Sequence, residues 1–433
     1  MKRNAIAGAV VSALGVLAAS EAQAAGFALY EQGVSGLGNA YAGAAAAAED
    51  ATTVWWNPAG MARLPSGRHF AIAGTIIAPS TKFSNNGSIN ATGRTLGGNG
   101  GDAGNTAFVP SMFFAMDLNP RWNFGIGVSV PFGLKTEYDA TWLGRFQGIS
   151  SELKTLNINP SLSYKLSEAA SVGFGINYQR GEFEFLKAVN LGLAGEAQNR
   201  VKLDGDAWGF NVGTLFNVTP ITRVGIHYRS GLKYKTDGSA TFPGVSAGVA
   251  ALIPQVRDGN VKLDAKLPDN LAFSLAHRMN DRLELLGDVT WWHWSTIKQL
   301  PLIRTDGTQS GTELSRLVFE FRDTWRLSAG ANYKLSEPWT LKLGVAYDKT
   351  PVQSPETRTV RLPDSDRYWL SAGAKYQLSK SGVIDFGYTF VKARDTSINN
   401  SDVTASSPGA NGIVRGDYRA HVHVLGVQYQ HSF

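Results

Sequence analysis

The sequence predicts an all-β fold: a transmembrane antiparallel β-barrel of about fourteen strands, with an N-terminal hatch held in its lumen. Three observations lead there. Apolar and polar residues alternate with period two in about fourteen segments from Arg68 onward, as strands with two unlike faces require. The connections between those segments run short, long, short, long. The chain finishes on Leu425-Gly-Val-Gln-Tyr-Gln-His-Ser-Phe433, an alternating run whose last residue is aromatic, which reads as the closing strand of a barrel.

The first element is a leader. Met1-Lys-Arg is followed by an apolar run from Ala5 to Ala19 and then by Ala22-Gln-Ala24, the small-x-small pattern of signal-peptidase cleavage. Residues 1–24 are therefore expected to be a secretory signal, with Ala25 as the mature start. No later apolar stretch approaches the ~20 residues of a spanning helix. A soluble sandwich alternates as well, so it is export combined with the rhythm of turns that points to the bacterial outer membrane. The chain has no cysteine, which leaves closure and packing, rather than disulfides or thiolate metal sites, to hold it together. Its 41 Lys and Arg against 35 Asp and Glu give a formal charge of +6, but the basic residues are scattered, so no nucleic-acid partner is expected. Frequent glycine and aromatics beside near-neutral hydropathy suit a wall in which every second residue meets lipid.

The second element, residues 25–65, does not alternate. Gly33, Gly36, Gly38 and Gly43 lead into Ala44 to Ala48 and then Trp55-Trp-Asn-Pro-Ala59. Such a segment is compact and weakly helical at best, and its alanines and two tryptophans favour burial, for which the barrel interior is the place available.

The third element, residues 66–433, is the barrel. From Tyr368 to Leu378 one face carries Tyr368, Leu370, Ala372, Ala374 and Tyr376, and the other Trp369, Ser371, Gly373, Lys375 and Gln377. Val172, Phe174, Ile176 and Tyr178 make a similar apolar face, as do Val224, Ile226 and Tyr228. Turn-forming sequences fall at Asn119-Pro120, Leu166 to Glu168, Thr219-Pro220, Asn280-Asp281, Ser336 to Pro338 and Ser379 to Gly382. Long connections are expected at 85–104, 139–149, 186–200, 237–259, 301–311, 351–366 and 395–412. This rhythm puts turns in the periplasm and loops outside, and an even strand number puts both chain ends on the periplasmic side. A β-propeller is disfavoured because no blade repeat is present.

Several stretches then resemble a known family. Ala25-Gly-Phe-Ala-Leu-Tyr-Glu31, Ser35-Gly-Leu-Gly-Asn-Ala-Tyr41-Ala-Gly43 and Asn57-Pro58-Ala59 are similar to the hatch of the FadL family of outer-membrane long-chain fatty acid transporters. Val109 to Met112, Phe132 to Glu137, Trp294-Ser295, Tyr347-Asp348 and Leu362 to Gly373 follow in the family's order and spacing. The resemblance implies a fourteen-stranded barrel plugged by its hatch, capture of a hydrophobic substrate at the outer loops and release sideways through the wall.

Candidate functional residues follow. Two loops are greasier than loops usually are: one carries Leu186, Ala188, Val189, Leu191 and Leu193, the other Phe242, Val245, Val249, Leu252 and Ile253. They suit capture, and equally a layer capping the barrel mouth. A carboxylate head would want a cation; the resemblance puts Lys187 at a basic pocket position and a second near Arg316, with neutral hydrocarbons left open as substrates. Pro131-Phe132-Gly133 interrupts the third strand, since proline lacks a ladder donor and glycine permits a bend, and in the family the matching stretch is a lateral opening. Asn57, Pro58 and Ala59 are expected to fix a turn that seats the hatch; the resemblance also places Phe27 in the ligand pocket and Asp348 at an acidic lumen position.

Enzymatic readings find no support, because the seven histidines stand alone or, as His421 and His423, on one strand face. That pair could touch a metal, but a structural role is expected; neither metal nor cofactor is, and no phosphate loop is present. The function expected is passive uptake of a long-chain fatty acid or similar hydrophobic molecule by a monomer set among outer-membrane lipid and lipopolysaccharide. Uptake of aromatic or alkane hydrocarbons is the near alternative. A general porin for polar solutes, and more remotely an adhesin, are the alternatives of another class.

Overall fold

A computed structural model describes residues 26–402 and 410–433. The expected signal, residues 1–24, lies outside the described residues, as does part of the connection expected at 395–412.

The wall is a closed antiparallel barrel of fourteen strands. In chain order they are β1 Arg68–Asn85, β2 Ala107–Asp117, β3 in two pieces (Trp122–Ser129 and Gly133–Glu137), β4 Ser150–Lys165, β5 Ala170–Asn190 and β6 Glu196–Thr219. Then come β7 (Thr222–Arg229 and Leu232–Thr241), β8 (Gly259–Leu267 and Asn270–Arg278), β9 Leu283–Trp292, β10 Thr324–Lys334, β11 Trp339–Asp348, β12 Arg367–Gln377, β13 Gly382–Ala393 and β14 Val414–Ser432. Each pairs with the next, and β14 closes on β1 from His69↔Ser432 to Asn85↔Gly416. Closure leaves the wall no free strand edge except where β3 is interrupted.

The alternation read in the sequence is the lipid–lumen alternation. On β12 Tyr368 and Leu370 are exposed while Trp369 and Ser371 are buried; on β5 Phe174 and Ile176 face out and Ser171, Asn177 and Gln179 face in. Aromatic pairs bound the lipid band, Trp122 with Tyr164 and Trp339 with Tyr376 at one rim, Tyr178 with Trp208 and Tyr347 with Tyr368 at the other. From Tyr368 to Tyr376 the strand advances about 26 Å at ~3.3 Å per residue, which at the tilt of barrel strands covers about 20 Å of membrane height, most of a bacterial apolar band.

The short turns lie where the sequence puts them. Residues 186–200 do not form a loop, however: β5 and β6 stay paired out to Asn190↔Glu196 and join through a 3-10 turn at Gly192–Ala194. Ala188, Ala197, Val201 and Leu203 keep one buried face there, so the ladder continues well above the membrane. Residues 301–311 likewise lie in a hairpin, Gln299–Arg304 with Glu313–Val318, which extends the sheet through Val261↔Arg304.

The segment before β1 fills the lumen. It folds as a 3-10 turn Leu37–Asn39, helices α1 Ala44–Ala47 and α2 Thr53–Trp56, and a 3-10 stretch Pro58–Arg63. Its backbone lies so near the wall that only glycine fits there: a Cβ on Gly225 would sit 1.9 Å from the Ala45 carbonyl oxygen, and one on Gly344 2.2 Å from the carbonyl carbon of Asn39. Polar ties fix it. Arg326 donates to the Ala40 carbonyl at 2.8 Å and stacks over Tyr30. Glu49 pairs with Lys342 at 2.8 Å and with Lys375, and Asp50 accepts from Gln428 at 2.9 Å.

Candidate functional site

A buried apolar cluster lies on the outer side of the hatch. Phe132, Phe183, Tyr234, Trp294, Phe319 and Phe321 are among its members. The two greasy segments roof it: Leu191 and Phe242 are buried in the cluster, while Val189, Val245, Val249 and Ile253 pack on it half-buried. Leu193 and Leu252 alone of that predicted set stand fully out in solvent, at 110% and 85% exposure, the second on helix α3 (Ala247–Leu252). Ala188 belongs instead to a separate small cluster with Phe146 and Ile149.

Lys187 and Arg316 come together on one cavity of about 310 Å³ beside this cluster, with Arg361 as a third cation and Glu320, Glu356 and Asp402 as the acids. The two predicted cations are not equivalent. Arg316 is exposed and already engaged, to Glu313 at 2.6 Å and Gln299 at 2.7 Å. Lys187 is half-buried and makes no hydrogen bond or ion pair among the described residues. It lies beyond the lipid band, since the outward residues of β5 after Tyr178 are Arg180, Glu182 and Glu184. Burial lowers its pKa; Asp402 opposes that shift and Arg361 adds to it. Arg361 was not singled out in the sequence, though it stands directly before the resembling stretch Leu362 to Gly373. It is buried, donates to Ser150 O at 3.0 Å and Ser151 Oγ at 2.9 Å, and lies over Phe185. Burial brings its pKa down to about 10, against the pull of Asp402.

The interruption of β3 breaks the ladder on both sides. Towards β4 the register passes from Ser129↔Asn157 to Gly133↔Lys154, so Val130, Pro131 and Phe132 stand opposite two residues. Thr155 bridges the bulge, accepting from Phe132 N at 3.0 Å and donating to Phe132 O at 2.6 Å. Towards β2 pairing ends at Met112↔Val128, which leaves Ala107 to Ser111 bonded only to β1. The gap is covered from inside by the start of the hatch. Ala28 bridges Phe132, Leu29 N donates to Pro131 O at 2.9 Å, Gly133 N donates to Phe27 O at 2.9 Å, and the Gln32 amide reaches Val130 O at 2.7 Å. Phe27 itself packs into the apolar cluster, edge-on to Trp294 with ring centroids 5.0 Å apart. A cavity of about 50 Å³ lies beneath, between Pro131, Phe132 and Trp292 and the hatch rings Tyr30 and Trp56.

Asn57 caps the 3-10 stretch that Pro58 opens, accepting from Ala59 N at 3.1 Å and donating to Ala45 O at 2.7 Å and Thr214 O at 2.9 Å. Asp348 is buried at the end of β11, registered against Arg326 and Arg367 on the flanking strands. His423 faces outward, bonded through Nδ1 to the Tyr388 hydroxyl at 2.8 Å, with His421 edge-on beside it.

Residues 15–433 match a family described as outer membrane protein transport protein (OMPP1/FadL/TodX). A long-chain fatty acid transport protein of Salmonella typhi is 31% identical over 92% of this chain and 95% of its own. A crystal structure of a Pseudomonas aeruginosa FadL homologue superposes with a TM-score of 0.86 at 25% identity, covering 94% of this chain and all of that one. The Ralstonia pickettii toluene transporter TbuX shares the fold, with a TM-score of 0.67 at 20% identity over 94% of this chain and 100% of its own.

Proposed function

The chain belongs to the outer-membrane transport family OMPP1/FadL/TodX, and from that membership we propose that it takes up a long-chain fatty acid or a similar hydrophobic molecule by passive diffusion. It is a transport channel of the bacterial outer membrane and not an enzyme. The observation that carries the reading is the seal at β3: a wall gap closed by a short arm of the hatch, held by backbone bonds at Phe27 and Leu29 and by the Gln32 amide, with the Phe27 ring packed in a buried apolar cluster.

In this reading residues 1–24 are removed, 25–65 form the hatch and 66–433 the barrel. Leu193 and Leu252 offer the first apolar contact, and the ligand passes under the roof into the apolar cluster. A carboxylate would meet Lys187 and Arg361, while the acyl chain takes the space that Phe27 holds. With the arm displaced, the gap between β2 and β3 leads sideways into the bilayer. The protein works as a monomer surrounded by lipid and lipopolysaccharide. Aromatic hydrocarbons are the second reading, favoured by the ring-rich apolar cluster and by the acids Glu320, Glu356 and Asp402 beside the cations. A porin for polar solutes is opposed by a lumen filled with hatch.

The test is uptake of a labelled long-chain fatty acid and of toluene by cells lacking their own transporter, complemented with this chain or its Lys187→Ala variant. Fatty acid uptake that depends on Lys187 supports the first reading and toluene uptake indifferent to it the second. Uptake of neither would refute both.

A further inference from the structure

Above the lipid band, β7 and β8 turn lysines outward. Lys233 and Lys266 stand directly opposite each other in the ladder, both exposed, with their chain neighbours Leu232, Tyr234, Ala265 and Leu267 buried on the other face. Like charges so placed repel, and neither lysine makes an ion pair among the described residues. Comparable cations on the same rim are neutralised: Arg180 by Asp204 at 2.6 Å, Lys202 by Glu184 at 3.3 Å, Lys154 by Glu152 at 2.8 Å. The opposed pair Lys82 and Arg419 has Asp395 at 3.4 Å from Arg419. Lys235 and Lys262 flank the unrelieved pair, Lys235 facing Asp264 on one neighbouring strand and Asp206 on the other and Lys262 facing Asp237, so the unrelieved charge is that of Lys233 and Lys266 themselves.

Height identifies what lies opposite this patch. Lower on the same strands Ile226, Phe273 and Leu275 face lipid. The band ends where the Tyr228 hydroxyl meets Asp269 at 3.4 Å and Trp291 stacks on His293, the amphipathic rings of an interface. Lys233 is five residues beyond Tyr228, about 16 Å along a tilted strand. That places its ammonium group in the head-group layer of the outer leaflet.

We propose that Lys233 and Lys266 form a docking site for the phosphorylated head group of an outer-leaflet glycolipid, with Lys235 and Lys262 as flanking cations. A phosphate set between the two ammonium groups accepts from both and converts their repulsion into attraction. The site rests on the barrel's position in the outer membrane and is independent of what the lumen carries.

The test is binding of bisphosphorylated lipid A to the purified full-length barrel in detergent, read by native mass spectrometry. Changing Lys233→Gln and Lys266→Gln together should weaken binding about thirtyfold. The pair Lys233→Arg and Lys266→Arg should keep it, as should Lys334→Gln with Lys380→Gln, which removes the same charge from the periplasmic turns. Heat-modifiable mobility on a gel reports folding, and if the glutamine pair does not fold, Lys266→Gln alone should lose about fivefold. Undiminished binding by the glutamine variants, equal loss in the periplasmic control, or equal binding of dephosphorylated lipid A would each overturn the proposal. Displacement by inorganic phosphate at the lipid's own concentration would overturn it too, since the site would then take any phosphate.

Discussion

Asn57 in the hatch donates through Nδ2 to the carbonyl oxygen of Thr214 on β6, 157 residues away, at 2.9 Å. The residue before that carbonyl is Gly213, where a Cβ would stand 2.0 Å from Asn57 Oδ1. One side chain thus caps a turn, ties α1 and ties the wall. Asn57→Ala should loosen the hatch by about 2 kcal/mol, because it strands buried partners as well as deleting bonds. Gly213→Ala should do the same by steric means. Flickering conductance in planar bilayers reports both, and two variants as silent as the parent would contradict this role.

The extra residue in β3 gives a second prediction. Three residues face two across the bulge, so deleting one of Val130 to Phe132 lets the ladder run through and removes the gap. Uptake should fall to the level of cells without the protein, with the barrel still heat-modifiable. Full uptake by a straightened, folded strand would mean that the ligand leaves by another route.

The cations around the outer cavity should separate. Removing Lys187 or Arg361 should weaken binding of a long-chain carboxylate about tenfold, the size expected for one charge-assisted bond. Arg316→Ala should change little, because Arg316 is exposed and spends its guanidinium on Glu313 and Gln299. Toluene should bind all three variants as it binds the parent. Calorimetry of both ligands on one set of variants decides this, and an Arg316 effect larger than that of Lys187 would reverse the assignment.

Proton linkage separates the ligands again. Unfolded, Lys187 titrates near 10.5; in its cavity it titrates lower. Between the two values the unfolded chain binds the extra proton, so the unliganded protein gains stability as pH rises through that alkaline window. A bound carboxylate favours the ammonium form and reverses the preference. Fatty acid affinity should therefore fall as pH rises through the alkaline range short of 10.5, while toluene affinity stays level. Parallel curves for the two ligands would remove Lys187 from the head-group site.

Period-two alternation carried the wall because lipid and lumen impose opposite demands on successive residues, as Trp369 and Leu370 illustrate. The same rule hid the true extent of β5 and β6: above the membrane their outward face is polar, so Glu196, Gln198 and Arg200 read as loop although Ala188 and Ala197 still pack inward. Pro131 announced the break in β3, but that Phe27 and Leu29 would bond to it could not be read, since a β-bridge from the hatch leaves no local pattern. Arg361 was illegible for a related reason. Its importance comes from a chain crossing that brings it beside Lys187, 174 residues earlier, and nothing near either residue records the meeting.

The hatch should be held most firmly on the side away from β3. Lys342 has a side chain only 2% exposed and is balanced by Glu49 at 2.8 Å and Asp385 at 3.5 Å. Removing one partner of a buried pair leaves a charge with nowhere to go, so Glu49→Gln should cost roughly 3 kcal/mol of hatch docking. The contrast is Arg223 with Glu284, a pair at 3.2 Å whose side chains are each about a quarter exposed; Glu284→Gln should cost about 0.5 kcal/mol. Chemical denaturation followed by tryptophan emission measures both, because Trp55 and Trp56 leave their surroundings when the hatch does. Equal losses would mean that the hatch is retained by shape alone. A large loss confined to Glu49→Gln would mark residues 49–50 as the fixed end, and so restrict the movement that opens the wall to the arm ahead of Val34, whose own N–H is tied to Gln428 at 2.8 Å.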